Sequence, residues 1–249
     1  MRQEYEKYTP EDHKVWQLLF ERQMKMLPGM ATAEYLRGIE RLGFVPARIP
    51  NIEEVNRRLK GYTGWQIEVV KGLLPNKEFF ELMLERRFPA STWLRKMSQL
   101  EYLEEPDMFH DVFGHIPLLT NEHLCEFLRE LSKIILPHIT NPNILEFIGR
   151  LYWYSIEFGL MQEEAGLRIY GAGVLSSSGE SEYALYSDIP KRVPYDVTHI
   201  FDTRYIKDSF QKQYFVIESF EQLYNSISEI DQLINKAVKE NITVSYISN

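Results

Sequence analysis

The chain has 249 residues, with 28 Lys and Arg against 36 Asp and Glu, a formal charge of −8 and one cysteine. The acidic balance argues against a nucleic-acid or anionic-membrane partner. Lone Cys125 cannot form an internal disulfide, which fits a reducing compartment, and the longest apolar runs, such as Ile134-Ile135-Leu136, fall far short of the roughly 20 residues of a membrane helix. The opening residues lack the apolar core of a signal peptide, so a cytoplasmic globular protein is expected. Aromatic residues, at 13% including 15 Tyr and 14 Phe, are in surplus and call for an explanation.

The first two-fifths of the chain reads as successive helices. Thr9-Pro10-Glu11-Asp12 combines an N-cap, a first-turn proline and early acids, ahead of an apolar face of Trp16, Leu19, Phe20 and Leu27 that Pro28-Gly29 ends. Thr32 caps a helix that Gly43 closes, and Asn51 one that Gly61 closes. Asn76 opens another through Phe79, Phe80, Met83 and Leu84 towards Pro89. Thr120 or Asn121 starts a helix that Pro137 ends, and Pro142 heads an apolar and aromatic helix reaching about Glu164. After Gly166 the texture changes. Leu167–Tyr170 reads as a short strand, and residues 171–180 are too rich in Gly and Ser for regular structure. Tyr214–Ile217 reads as a buried strand, Ser219 caps a last helix through Leu233, and Ile242, Val244 and Tyr246 alternate like a terminal strand. The expectation is one domain, mainly α with a few short β-strands (α+β).

Chemistry concentrates in Pro106-Asp107-Met108-Phe109-His110-Asp111-Val112-Phe113-Gly114-His115-Ile116-Pro117. His110 and His115 stand five apart, a poor match for one face of an α-helix, but a chain turning out at Gly114 brings His115 back beside His110. Neutral imidazoles suit iron, zinc or copper, and Glu157, set among Tyr152, Trp153, Tyr154, Ile156 and Phe158, is a carboxylate costly to bury without a cation or partner. Two histidines and one carboxylate form the facial set of non-haem Fe(II) oxygenases. Asp107 is placed to accept the second ring proton of a ligand histidine. Other readings stay open at this point: a structural histidine pair, Glu157 paired with Arg150 or Arg168, a metal-dependent hydrolase on the same triad (without the zincin spacing), or a metal-free helical binding module.

The run His110 to Leu118, then Tyr152-Trp153 through Glu157-Phe158-Gly159-Leu160, then Tyr170-Gly171-Ala172-Gly173 with Ser176-Ser177, resembles the pterin-dependent aromatic amino acid hydroxylases. Phe88-Pro89 and Thr92-Trp93-Leu94-Arg95 resemble the bacterial phenylalanine 4-hydroxylases in particular, and the similarity runs from Tyr8 to about Leu223. It implies the fold of that family's catalytic domain over residues 1–249, with neither a regulatory domain nor a tetramerisation helix. It also implies an iron- and tetrahydropterin-dependent monooxygenase that converts L-phenylalanine to L-tyrosine with O2 and relies on pterin-recycling enzymes. A monomer is compatible with this.

The resemblance further implies that His110, His115 and Glu157 hold Fe(II). It gives Gly72, Leu73, Leu74 and Phe79 to the pterin, with Asp111 reaching it through water and Tyr152 flanking it. Arg95 is expected to hold the substrate carboxylate, with Pro106, Trp153, Phe158 and Gly173 lining the amino acid pocket and Ser176 and Ser177 at its polar end. Val216 stands where tyrosine-using relatives carry an aspartate, which favours phenylalanine. There are two departures, Pro75-Asn76-Lys77 and Leu103-Glu104, and the second leaves room for tryptophan or another ring position.

Overall fold

Thr9 does what its sequence predicts. Its hydroxyl accepts from Asp12 N–H while the Asp12 carboxylate accepts from Thr9 N–H, a reciprocal cap on helix α1 (Pro10–Met26). The structure is a computed structural model and describes residues 1–100 and 105–243. Thr32 caps α2 (Ala33–Leu42), which Gly43 closes in the left-handed conformation, and Asn51 caps α3 (Ile52–Tyr62), one residue longer than Gly61 suggests. Strand β1 (Gln66–Val69) pairs in parallel with β2 (Arg87–Ala90) around α4 (Asn76–Leu84). The expected continuation of α4 towards Pro89 is instead this strand, because Arg86 turns the chain with a positive φ.

Asn121 caps α5 (Glu122–Ile135) and Asn141 caps α6 (Pro142–Tyr152). The helix from Pro142 stops at Glu157, not Glu164. Residues Leu160–Glu163 form β3, which turns at Gly166 (φ +111°) into β4 (Gly166–Ile169). Residues 171–180 are not irregular either: they carry α7 (Ala172–Leu175) and the start of α8 (Ser178–Tyr186). Glycine serves proximity there, since a Cβ on Gly171 would stand 2.4 Å from the Glu157 carbonyl oxygen.

Strand β5 (Lys191–Pro194) and helix α9 (Val197–Asp202) precede β6 (Gln213–Ile217), and the four-stranded sheet runs β4-β3-β6-β5. Beyond it the expected single helix is two, α10 (Phe220–Asn225), capped by Ser219, and α11 (Ile227–Lys239). Ile242 is not in a strand, and Val244 and Tyr246 lie outside the described residues, as do Leu103 and Glu104. No helix among the described residues is long and apolar enough to cross a membrane.

Much of the aromatic surplus is core. Phe109 and Phe113 stack at 4.5 Å, Trp16 packs edge-on to Phe109, and Phe20 and Tyr35 pack edge-on to Phe113, all five rings at 5% exposure or less. Burying each such ring stabilises by about 1.5–3 kcal/mol. The segment that carries both site histidines is therefore anchored by its back.

Candidate metal and ligand site

The histidines lie on a π-helix, Phe109–His115, whose wider turn and i→i+5 bonding bring residues five apart onto one side. This, not a departure of the chain at Gly114, sets His115 beside His110. Glu157 ends a second π-helical segment, Trp153–Glu157, at the foot of α6. The Nε2 atoms of His110 and His115 are 3.3 Å apart, His115 Nε2 is 3.2 Å from one Glu157 carboxylate oxygen, and His110 Nε2 is 3.6 Å from the other. Their ligand atoms all lie within 4.8 Å of one another, the one group of three or more His, Cys, Asp or Glu side chains among the described residues placed to hold a metal ion.

Hydrogen bonds fix the His110 tautomer. The Ser176 hydroxyl donates its one proton to the Ala172 carbonyl and lies 3.1 Å from His110 Nδ1, so it must accept from Nδ1–H and leave a lone pair on Nε2. Asp107, expected in that orienting position, is used otherwise. Its Oδ2 accepts from Arg95 Nε at 2.9 Å and Arg95 N–H at 3.0 Å, while Oδ1 accepts from Arg95 Nη2 at 2.9 Å and His110 N–H at 3.2 Å. Burial pushes the Glu157 carboxyl up, but the His115 and His110 imidazoles and the Gly173 N–H outweigh it and hold it below the ordinary range. An ionised carboxylate beside an imidazole lone pair is a cation site by its donor chemistry, and the set suits iron or another borderline transition metal.

On one flank, the half-buried Phe79 ring is held perpendicular to Phe80 at 5.2 Å and to Tyr152 at 5.7 Å. The Tyr152 phenol is pushed well up, first by burial and then by the neighbouring Glu157 and Asp111 carboxylates. Asp111 accepts from Ser91 N–H at 2.7 Å, and burial pushes its carboxyl up. Gly72, Leu73 and Leu74 form the loop before α4, where Phe79 N–H donates to the Pro75 carbonyl, and Leu73 is 82% exposed.

Arg95 is 8% exposed, and Asp107 uses two of its five side-chain N–H groups. Trp153 stacks on Phe158 at 4.6 Å, and a Cβ on Gly173 would meet the Phe158 ring at 3.0 Å. Pro106 is half-buried beside Asp107. Ser177 caps α8 by accepting from Glu180 N–H, and Val216 pairs in register with Leu160, three residues beyond Glu157.

A family model described as biopterin-dependent aromatic amino acid hydroxylase matches residues 4–247. The chain belongs to this family. It is 48% identical over 218 residues to the phenylalanine-4-hydroxylase of Ralstonia nicotianae, covering 88% of this chain and 69% of that one. It is 47% identical over 216 residues to that of Chromobacterium violaceum, covering 87% and 72%. The crystal structure of the Chromobacterium violaceum enzyme with bound oxidised Fe(III) superposes with a TM-score of 0.91 at 45% identity, covering 96% of this chain and 86% of that one.

Three features of this hydroxylase escape sequence reasoning. The partner of Asp107 is Arg95, visible only once residues 12 apart are brought together, and the partner of His110 is Ser176, 66 residues away. Gln211, a buried residue hydrogen-bonded to Trp153, carried no sequence signal at all.

Proposed function

We propose that the chain is an iron- and tetrahydropterin-dependent monooxygenase that hydroxylates L-phenylalanine to L-tyrosine with O2, working as one catalytic domain over residues 1–249. The observation that carries the reading is the convergence of the His110, His115 and Glu157 donor atoms, with the His110 tautomer fixed, in a chain of the biopterin-dependent hydroxylase family. A reducing, cytoplasmic setting suits buried, unpaired Cys125.

In this reading the three residues hold Fe(II), which, together with tetrahydropterin, supplies the two-electron activation of O2. The rest is positioning. Phe79, braced by Phe80 and Tyr152, offers a ring for a flat pterin to stack on, while the backbone of Gly72, Leu73 and Leu74 meets its amide-like edge and Asp111 reaches it through water. Arg95, its plane fixed by Asp107, presents its remaining N–H groups to the amino acid carboxylate. Pro106, Trp153, Phe158 and Gly173 enclose the aromatic ring and exclude water, with Ser176 and Ser177 at the polar end. Repeated turnover would call on a separate reductase to regenerate the tetrahydropterin.

Supplying the protein with Fe(II), tetrahydrobiopterin, O2 and L-phenylalanine tests this directly. Tyrosine formed in step with pterin oxidation is expected. Failure to form tyrosine with iron bound overturns the reading.

A further inference from the structure

Gln211 is 2% exposed, although its neighbours from Asp202 to Phe210 are exposed or half-buried. A buried amide among aromatic rings is costly unless its hydrogen bonds are made, and here they all are. The amide oxygen accepts from Trp153 Nε1–H at 3.0 Å and from Ile206 N–H at 3.4 Å. The amide nitrogen donates to the Ile206 and Ser209 carbonyls at 2.6 and 3.4 Å, and Gln211 N–H donates to Glu180 at 3.2 Å. Glu180, 5% exposed on α8, also accepts from the Tyr214 hydroxyl. One side chain thus ties Trp153 to the 203–211 loop, and its backbone ties that loop to α8.

The loop returns the contact. Tyr205 stacks on Trp153 at 4.7 Å and 24°, beside the Trp153–Phe158 stack at 4.6 Å and 27°. Stacking fixes the plane of a ring but is indifferent to a 180° flip about Cβ–Cγ, which keeps that plane and exchanges the indole edges, whereas a hydrogen bond to the indole N–H is directional and selects one flip state. Of the Trp153 contacts named here, the one that selects its flip state is the one to Gln211.

We propose that Gln211 is a positioning residue for the aromatic substrate: it sets which edge of the Trp153 indole faces the ring pocket and holds the 203–211 loop closed against it. The inference rests on the reading of Trp153 and Phe158 as walls of the phenylalanine pocket.

Gln211→Met keeps the length of the side chain and removes its hydrogen bonds. Losing a neutral hydrogen bond of ordinary strength, KM for phenylalanine should rise about five- to tenfold, with KM for tetrahydrobiopterin and iron content unchanged. In a Trp153→Phe background, which has no indole N–H, the same substitution should add little to KM. In the metal-free protein, the Trp153 indole N–H resonance, assigned by its loss in Trp153→Phe, should move and exchange faster with solvent in Gln211→Met. Should Gln211→Met not fold, Gln211→Asn, whose shorter stem cannot span the same partners, carries the same expectations. Phenylalanine turnover with KM unchanged in the variant overturns this inference alone, as does an equal rise in KM with and without the indole N–H. No phenylalanine turnover by the unsubstituted, iron-loaded protein overturns the functional reading and this inference with it.

Discussion

The imidazoles of His110 and His115 meet edge to face, their planes at 83° and their Nε2 atoms 3.3 Å apart. Two nitrogens that close, with the Glu157 oxygens 3.2 and 3.6 Å from them, repel unless a proton or a cation lies between. Their π-helix holds them there because its opposite face is locked by the Phe109–Phe113 stack. Rigid core on one side and converging donors on the other make a preorganised metal site.

Glu157→Gln removes the one anionic donor while conserving volume. Orienting partners of metal ligands are each worth about ten- to a hundredfold in metal affinity, and a ligand should be worth at least as much. Iron content after dialysis should fall accordingly, with tyrosine formation lost. A fully loaded, active variant would remove Glu157 from the site.

Ser176→Ala takes away the acceptor for His110 Nδ1–H without touching a donor atom. Metal affinity should fall by about ten- to a hundredfold, read by titration with Fe(II) or Co(II). The thermal midpoint of the metal-free protein should barely move.

Arg95 carries two roles that two substitutions separate. Arg95→Ala leaves buried Asp107 without its partner and should destabilise the protein by about 3–5 kcal/mol, seen as a lower unfolding midpoint. Arg95→Lys keeps the charge but not the paired geometry. It should raise KM for phenylalanine about ten- to a hundredfold while affecting tetrahydropterin little.

Phe79→Ala removes the ring braced by Phe80 and Tyr152. KM for tetrahydropterin should rise about three- to tenfold, and that for phenylalanine less. The reverse pattern would displace the pterin from this flank.

Glu180 gives a pH dependence of definite sign. Burial raises its carboxyl above the ordinary value of 4.5, against the Tyr214 hydroxyl and Gln211 N–H, which lower it. The folded state therefore keeps this proton at pH values where the unfolded chain has released it, so this contribution to stability declines as pH rises from about 4.5 through the raised folded value. Glu180→Gln cannot titrate. Across that window the unfolding free energy of the unsubstituted protein should fall relative to the variant, as measured by urea denaturation at several pH values.

Local signals were legible where chemistry is local. Thr9, Thr32, Asn51, Asn121 and Ser219 each cap the helix their sequence announces, and His110, His115 and Glu157 stand out by residue type alone. What was not legible depends on partners far along the chain. Strand β2, Arg87–Ala90, forms because β1 pairs beside it, so the helical pattern before it ends earlier than Pro89 suggests. The π-helix at Phe109–His115 has no residue signature of its own, and only the core rings on one side and the donors on the other reveal it. Residues 171–180 have a loop-like composition, yet Gly171 and Gly173 are small because α7 packs onto the Glu157 and Phe158 backbone and ring.

Asp107 has a consequence of another kind. One carboxylate holds the Arg95 guanidinium on one side and the backbone at the head of the His110 helix on the other. A ligand that pulls on Arg95 therefore works against the same anchor that seats a metal donor. Linked equilibria are reciprocal: whatever factor the amino acid applies to metal affinity, the metal must apply to amino acid affinity. Measuring phenylalanine binding with and without metal gives the same coupling free energy as measuring metal binding with and without phenylalanine. In this fold Asp107 bonds both Arg95 and the His110 backbone, which places one aspartate between the two.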